Sequence, residues 1–304
     1  MKPDLKVHLC GQMLKNPLIA ASGTFGYGEE FSPYLDPGIL GGICSKGLTF
    51  NPREGNSGAR MWETPAGMLN SIGLQNPGVA HFIRHELTIM RKFNTAVIAN
   101  MGGNTLEEYV EGAKLLNEAN IDILELNISC PNVKAGGAAF GIHADTAHQV
   151  VSAVRGVFTK PMMVKLSPNA ANIVDVAAAC ENAGADALSL INTLLGMAID
   201  IDRRALVFKN TVAGLSGPAV RPVALRMVYD VSRAVKIPVV GLGGIMSGRD
   251  AVEFIMAGAT AVQVGTANFV RPDIMAVILS ELEDFMRENR VNNLEEIRGC
   301  VHPN

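Results

Sequence analysis

A single (β/α)8 barrel spanning residues 1–304, a TIM barrel, is the fold the sequence predicts, on three observations. Eight short strand-like runs alternate with helical patterns, two of these units resemble each other, and the composition calls for a large buried core. The runs are Leu18 to Ser22, Gly42 to Lys46, Ala96 to Asn100, Ile123 to Asn127, Met162 to Leu166, Ala187 to Asn192, Pro238 to Leu242 and Ala261 to Gly265, each bounded by Gly, Pro or polar residues. Between them lie helical patterns: a short one near Glu29 to Tyr34, then Val79 to Lys92, Leu106 to Asn120, Thr146 to Phe158, Ala171 to Ala183, Pro222 to Val235, Ser247 to Met256 and Pro272 to Glu288. Such alternation gives parallel strands joined by crossovers. Lys160 to Val164 resembles Lys236 to Val240, and Ala183 to Leu188 resembles Ala257 to Val262, with Gly184 and Gly258 placed where each helix needs a left-handed end. Eight units favour closure over an open doubly wound sheet.

Two features lie outside this rhythm. Val7 to Leu9 and Gln12 to Leu14, joined through Cys10-Gly11, read as a hairpin plugging one end of the core. The connections Gly47 to Gly78 and Thr193 to Pro218 are unusually long. Both follow strand C-termini, the face that carries a barrel's active site, so they read as lid or substrate wall.

Composition narrows the function. Apolar residues make up 48% and charged residues 18%, as a buried parallel sheet covered by helices requires. A net charge of -3 and a pI near 6.1 supply no basic field for nucleic acid or anionic lipid, leaving small polar substrates. Residues 1–16 carry Lys2, Asp4, Lys6 and Lys15 without a long apolar core, unlike a secretory signal, and no stretch is long enough to span a membrane. Cys10, Cys44, Cys130, Cys180 and Cys300 are scattered without a C-x-x-C, which argues against a disulfide framework, a zinc site or an iron–sulfur cluster on this chain. A cytoplasmic location is expected.

The strand ends collect chemistry. Ser22, Lys46, Asn100, Asn127, Lys165 and Asn192 stand at the ends of six of the eight runs, more convergence than satisfied structural polar groups explain. Lys46 and Lys165, without evident metal ligands, point to an anionic ligand or a cofactor that gains negative charge. Gly241 to Ile245 ends run seven and Val264 to Asn268 ends run eight, where barrels commonly hold phosphate; Gly214 to Gly217 could add a contact. A G-x-G alone is often only a tight turn, so its position in the strand count carries this reading. Asn70 to Gly78 offers amides and glycine-flanked backbone N–H groups, a nest for a carboxylate; its second half also reads as a polar turn before a helix capped near Asn76 and Pro77.

Cys130 is the candidate reactive group. It follows the run Ile123 to Ile128, lies between Asn127 and Asn132, and precedes a Gly- and Ala-rich loop, Val133 to Gly141. A free thiol with a pKa near about 8.5 can serve as nucleophile or general base without extreme tuning. The other four cysteines read as packing or incidental thiols. His81 and His85 have a metal pair's spacing but no third ligand; Asp200 and Asp202 beside Arg203-Arg204 read as a solvated loop with internal ion pairs; the sequon at Asn127 lies on an inward strand end.

Asn127-Ile-Ser-Cys-Pro-Asn-Val-Lys134 with Gly136-Gly137 and Phe140-Gly141, and the stretch Glu63-Thr-Pro-Ala-Gly-Met-Leu-Asn-Ser-Ile-Gly-Leu-Gln-Asn-Pro-Gly78, are highly specific motifs. Through them the chain resembles the dihydroorotate dehydrogenases, flavin enzymes of pyrimidine synthesis, over nearly its whole length. The likeness is specifically to class 1B, whose catalytic chain works with an electron-transfer partner; cysteine at position 130 is similar to class 1, whereas membrane-associated class 2 uses serine. The resemblance implies FMN, with its phosphate against Gly243, Gly244, Gly265 and Thr266, Gly217 nearby, and its ring and ribityl chain held by Ser22, Asn100, Asn127, Lys165 and Ile191. It implies dihydroorotate lying on the flavin, its carboxylate met by Lys46, within reach of the flavin too, and by the N–H groups of Ile72, Gly73 and Leu74. The ring amides would meet Asn70, Asn127, Asn192 and Thr193. Cys130 is then a base taking the C5 proton while hydride passes from C6 to the flavin, and electrons reach NAD through a second subunit carrying FAD and a 2Fe-2S cluster. The implied assembly is a homodimer flanked by two such partners. The competitors are a class 1A homodimer reducing fumarate, a flavin-dependent dihydrouridine synthase acting on tRNA, and a non-catalytic phosphate-ligand barrel.

Overall fold

The structure is a computed structural model and describes residues 3–129 and 140–302. Eight parallel strands close a barrel: β1 (Leu18–Ala20), β2 (Gly42–Cys44), β3 (Ala96–Met101), β4 (Ile123–Asn127), β5 (Met162–Lys165), β6 (Ala187–Leu190), β7 (Val239–Leu242) and β8 (Ala261–Val264). Each pairs with its sequence neighbours, and β8 pairs with β1. Seven of the eight lie within the predicted runs, and β3 extends one residue beyond its run, to Met101.

Strand alternation divides the interior into layers. Leu18, Val97, Leu124, Leu126, Val164, Leu188 and Val262 face outward and pack under the helices. Ile19, Ile98, Ile123, Met163, Ala187, Val240 and Ala261 face inward at the amino end of the barrel. The hairpin Val7–Leu9 and Gln12–Leu14 closes that end, burying Leu5, Val7, Leu9 and Leu14 against them. Above this apolar floor the inward positions turn polar.

The helices lie where their caps place them. Thr105, Asn172 and Ser247 each accept a backbone N–H at the start of Leu106–Glu118, Ile173–Asn182 and Gly248–Met256. Gly184 and Gly258 have φ of 96° and 120°, as their helix ends require. The predicted helix Val79 to Lys92 is instead two, Val79–Arg84 and Glu86–Met90, broken where His85 leaves helical geometry at φ -121°, ψ -72°. Asn76 does not cap the first of them; its Oδ1 accepts from Thr49 and Gly78 backbone N–H groups, and Gly78 holds the cap position. A short helix at Ala267–Val270 has no counterpart in the sequence reading.

The two long connections form a single wall. Met61–Thr64 and Gly67–Asn70 come from the first, Leu194–Gly196 and Ala213–Ser216 from the second, and they join as one four-stranded antiparallel sheet. The contact across connections pairs Met68 with Ser216 and Asn70 with Gly214. It admits no side chain at Gly67, where a Cβ would lie 2.2 Å from the Ser216 carbonyl oxygen. Gly67→Val should separate the two connections while sparing the barrel: far-UV circular dichroism near wild type, with proteolysis within 47–78 or 193–218 faster by roughly tenfold. Unchanged cleavage would show that the sheet does not depend on this approach.

Candidate active site

A cavity of about 320 Å³ opens at the carboxyl ends of the barrel strands, with the antiparallel sheet as one wall. It is lined by Ser22, Lys46, Asn70, Ile72, Gly73, Leu74, Asn100, Asn127, Lys165, Ile191, Asn192, Thr193, Gly217, Gly243, Gly244, Gly265 and Thr266, so every described residue expected to meet cofactor or substrate reaches the same space. Cys130 lies outside the described residues, as does most of the loop that follows it. The chain leading to it is well held: Asn127 Oδ1 accepts from Ser129 N (3.2 Å) and Ser129 Oγ (2.6 Å), and Tyr109 Oη donates to the Asn127 carbonyl (2.8 Å).

One end of the cavity suits a phosphate. Among the described residues, the backbone N–H groups of Gly243, Gly244, Gly265 and Thr266 meet no acceptor. Gly243 and Gly244 have φ of 130° and 76°, and a Cβ on Gly244 would lie 2.7 Å from Arg221 Cβ and 2.8 Å from the Gly217 carbonyl oxygen. Glycine is therefore required for the chain to turn its N–H groups inward. Arg221 pairs with Asp250, whose other oxygen accepts from Met246 N at 2.8 Å, fastening the loop. Thr266 Oγ1 donates to Ser216 Oγ at 2.9 Å, tying this end to the wall.

The other end suits a carboxylate. Gly73 and Leu74 both have positive φ, 75° and 54°, and the N–H groups of Ile72, Gly73 and Leu74 find no acceptor among the described residues. A second layer missed by the sequence reading supports the turn. Asn56 N donates to the Ile72 carbonyl, Asn56 and Asn210 amides hold Ser71 Oγ, and Arg60 holds Gln75. Lys46 is half-buried beside this turn and has no ion-pair or hydrogen-bond partner for its Nζ among the described residues. Asn192 differs from the rest: its Nδ2 donates to Ser129 Oγ and its Oδ1 accepts from Thr193 N at 2.8 Å, so in this arrangement it braces Asn127 and Ser129. Asn70 Nδ2 is likewise engaged, donating to the Gly214 carbonyl at 3.2 Å.

Between the two ends lies a residue the sequence reading passed over. Glu125, at the centre of β4, is fully buried. It accepts from Asn100 Nδ2 (2.5 Å), Gln263 Nε2 (2.6 Å), Ser189 Oγ (2.8 Å) and Cys44 Sγ (3.1 Å), and Lys165 Nζ stands 3.9 Å away. Burial pushes its carboxyl up, but the Lys165 charge and the bonds from Gln263, Cys44 and Asn100 together outweigh that and hold it below the usual carboxylate range. Cys44 is thus more than a packing thiol; burial first, then Glu125, pushes it well above the ordinary thiol range. The available signal was a lone acid in Ile-Leu-Glu-Leu-Asn and a lone amide in Ala-Val-Gln-Val, polar residues inside strands otherwise fit only for a core.

His81 lies 3.2 Å from Glu86 and against His85, and no group of three metal-ligating side chains occurs among the described residues. Asp200 is 3.5 Å from Arg203, as the solvated-loop reading expected.

Fold and site define a (β/α)8 barrel protein with a cavity at the carboxyl ends of its strands, lined by two lysines and by backbone N–H groups that meet no acceptor among the described residues. The chain belongs to the dihydroorotate dehydrogenase family, whose family model matches residues 4–286. It is 55% identical over 98% of its length to the dihydroorotate dehydrogenase B (NAD(+)) catalytic subunit of Petrotoga mobilis, covering 99% of that protein. It is 54% identical to the proteins of the same name from Geotalea uraniireducens and Geobacter sulfurreducens, over 99% of both chains in each case.

The charge on Glu125 has a measurable signature. A carboxyl held below its unfolded value stabilises the fold above about pH 4.3 and loses that contribution as pH falls through the folded value. At about pH 7, Glu125→Gln should lower the unfolding free energy by about 1–3 kcal/mol, and the gap should shrink on acidification. A gap in denaturant unfolding that does not change with pH would show that Glu125 is not ionised in the fold.

Proposed function

We propose that this chain oxidises (S)-dihydroorotate to orotate in de novo pyrimidine biosynthesis, holding FMN and passing the electrons to NAD through a partner subunit. The observation that carries this is one cavity with two anion-binding ends separated by a polar floor. A phosphate-bearing cofactor fits one end and a carboxylate substrate the other. The residues also suit a flavin mononucleotide by their unmet hydrogen bonds. Four free N–H groups at Gly243, Gly244, Gly265 and Thr266 match a phosphate, while Asn100 Oδ1 and Gln263 Oε1 are buried acceptors without donors. A buried polar atom left unpaired costs about 1–3 kcal/mol, so the cavity favours a ligand that brings donors.

FMN, when bound, supplies the acceptor for the hydride from C6 of the substrate. Gly217, Gly243, Gly244, Gly265 and Thr266 hold its phosphate; Ser22, Asn100, Asn127 and Ile191 hold the rest. Lys165 places a positive charge where electrons arrive, while Lys46 and the N–H groups of Ile72, Gly73 and Leu74 fix the substrate carboxylate. Asn70, Asn127, Asn192 and Thr193 orient the substrate ring. Cys130 takes the C5 proton, on the strength of its place directly after the braced Asn127-Ile128-Ser129 segment.

The relatives named above are catalytic subunits of NAD(+)-linked enzymes. On that ground this chain works with a separate electron-transfer subunit; the resemblance to class 1B enzymes extends the proposal to a partner carrying FAD and a 2Fe-2S cluster, and to a homodimer flanked by two such partners in the cytoplasm. No helix among the described residues is long and apolar enough to cross a membrane.

The purified chain should be yellow and bleach anaerobically on addition of dihydroorotate. Cys130→Ser should keep its flavin but be reduced about 10²–10⁴-fold more slowly, with the loss partly recovered as pH rises. Normal reduction of that variant would remove Cys130 as the base. NAD reduction should require the partner subunit, whereas rapid turnover with fumarate by the chain alone would place it with the fumarate-reducing enzymes.

A further inference from the structure

Asn100 and Gln263 raise a question of orientation that the cavity alone does not answer. Each side-chain amide has a donating end and an accepting end, and either could face the ligand. Glu125 decides between them. An ionised carboxylate can only accept, so Asn100 turns its Nδ2 toward Glu125 Oε2 and Gln263 turns its Nε2 toward Glu125 Oε1, at 2.5 and 2.6 Å. Both amide oxygens are thereby turned away from the carboxylate. Both are buried and lack a donor among the described residues, and both side chains line the cavity. Ser189 Oγ and Cys44 Sγ bond to the same carboxylate but do not line the cavity.

We infer that Glu125 is a positioning residue for ligand recognition: its carboxylate fixes Asn100 and Gln263 as a pair of acceptors, matched to the N–H and hydroxyl donors of a flavin and its ribityl chain. This rests on the flavin reading above for the identity of the ligand. A glutamine at position 125 is nearly isosteric but carries an NH2 group that must itself donate. One neighbouring amide then turns over to accept from it, and the cradle presents a donor where the ligand also presents one.

The test is titration of apoprotein with FMN, followed by the flavin's fluorescence, for wild type, Glu125→Gln and Ser189→Ala. Ser189→Ala removes a bond to the same carboxylate while leaving both amides in place. Glu125→Gln should raise the Kd for FMN by about tenfold or more, the size expected when a buried bond is replaced by a mismatch, and Ser189→Ala should stay within about twofold. Equal affinity of wild type and Glu125→Gln, or equal weakening by both variants, overturns the assignment while leaving the flavin reading intact. Failure of the wild type to bind FMN removes both. Neutron diffraction from crystals of the wild-type protein gives an answer that needs no variant to fold. Nitrogen and oxygen scatter differently, so both amide oxygens should be seen facing away from Glu125, with no deuteron on the carboxylate. A reversed amide, or a deuterated carboxylate, overturns the inference.

Discussion

The interior of this barrel is organised around an ionised carboxylate that water does not reach. Glu125 draws a thiol from β2, an amide from β3, an ammonium group from β5, a hydroxyl from β6 and an amide from β8, so six of the eight strands meet at one side chain. A charge in such a place persists only if its lone pairs are filled and a countercharge is near, and both conditions are met. The polar floor of the cavity is therefore one connected network, in which Lys165 and Asn100 owe their positions to a residue that lies beneath the ligand space.

That floor explains how two anion-binding ends coexist in one cavity. Each end is built from backbone N–H groups, at the loops after β7 and β8 and at Ile72 to Leu74. Backbone donors carry no net charge, so they need no countercharge when the cavity is empty of anions. Among the described residues lining the cavity, the full positive charges are those of Lys46, which is half-buried, and Lys165, which has Glu125 beside it. The antiparallel sheet joins the two ends mechanically, since its strands carry Asn70 at one side and Ser216, bonded to Thr266, at the other.

Most of the architecture was legible in the sequence because barrel strands buried on both faces read as apolar runs and their helices keep a regular period. The rim residues were legible for a related reason: Lys46, Asn100, Lys165 and Asn192 interrupt apolar runs at their ends. What the sequence concealed depends on pairing across distance. Nothing local in Met61 to Asn70 indicates that it will meet Ala213 to Ser216, and both segments read as loops. Glu125 and Gln263 were visible as misplaced polar residues, but their meaning depends on the fold bringing together two positions 138 apart in the sequence. The break at His85 was concealed differently, because the apolar spacing continues through it and only the backbone departs. Cys130, on which the chemistry of the reading turns, lies outside the described residues.

The hairpin at the amino end of the barrel also shapes traffic through the protein. With Leu5, Val7, Leu9 and Leu14 sealed against the lowest inward layer, the cavity is, among the described residues, a blind well whose mouth is at the carboxyl ends of the strands. Among the described residues, whatever enters the well and whatever leaves it pass the same mouth. A second reactant that needed contact with the same floor would have to wait until the first had gone.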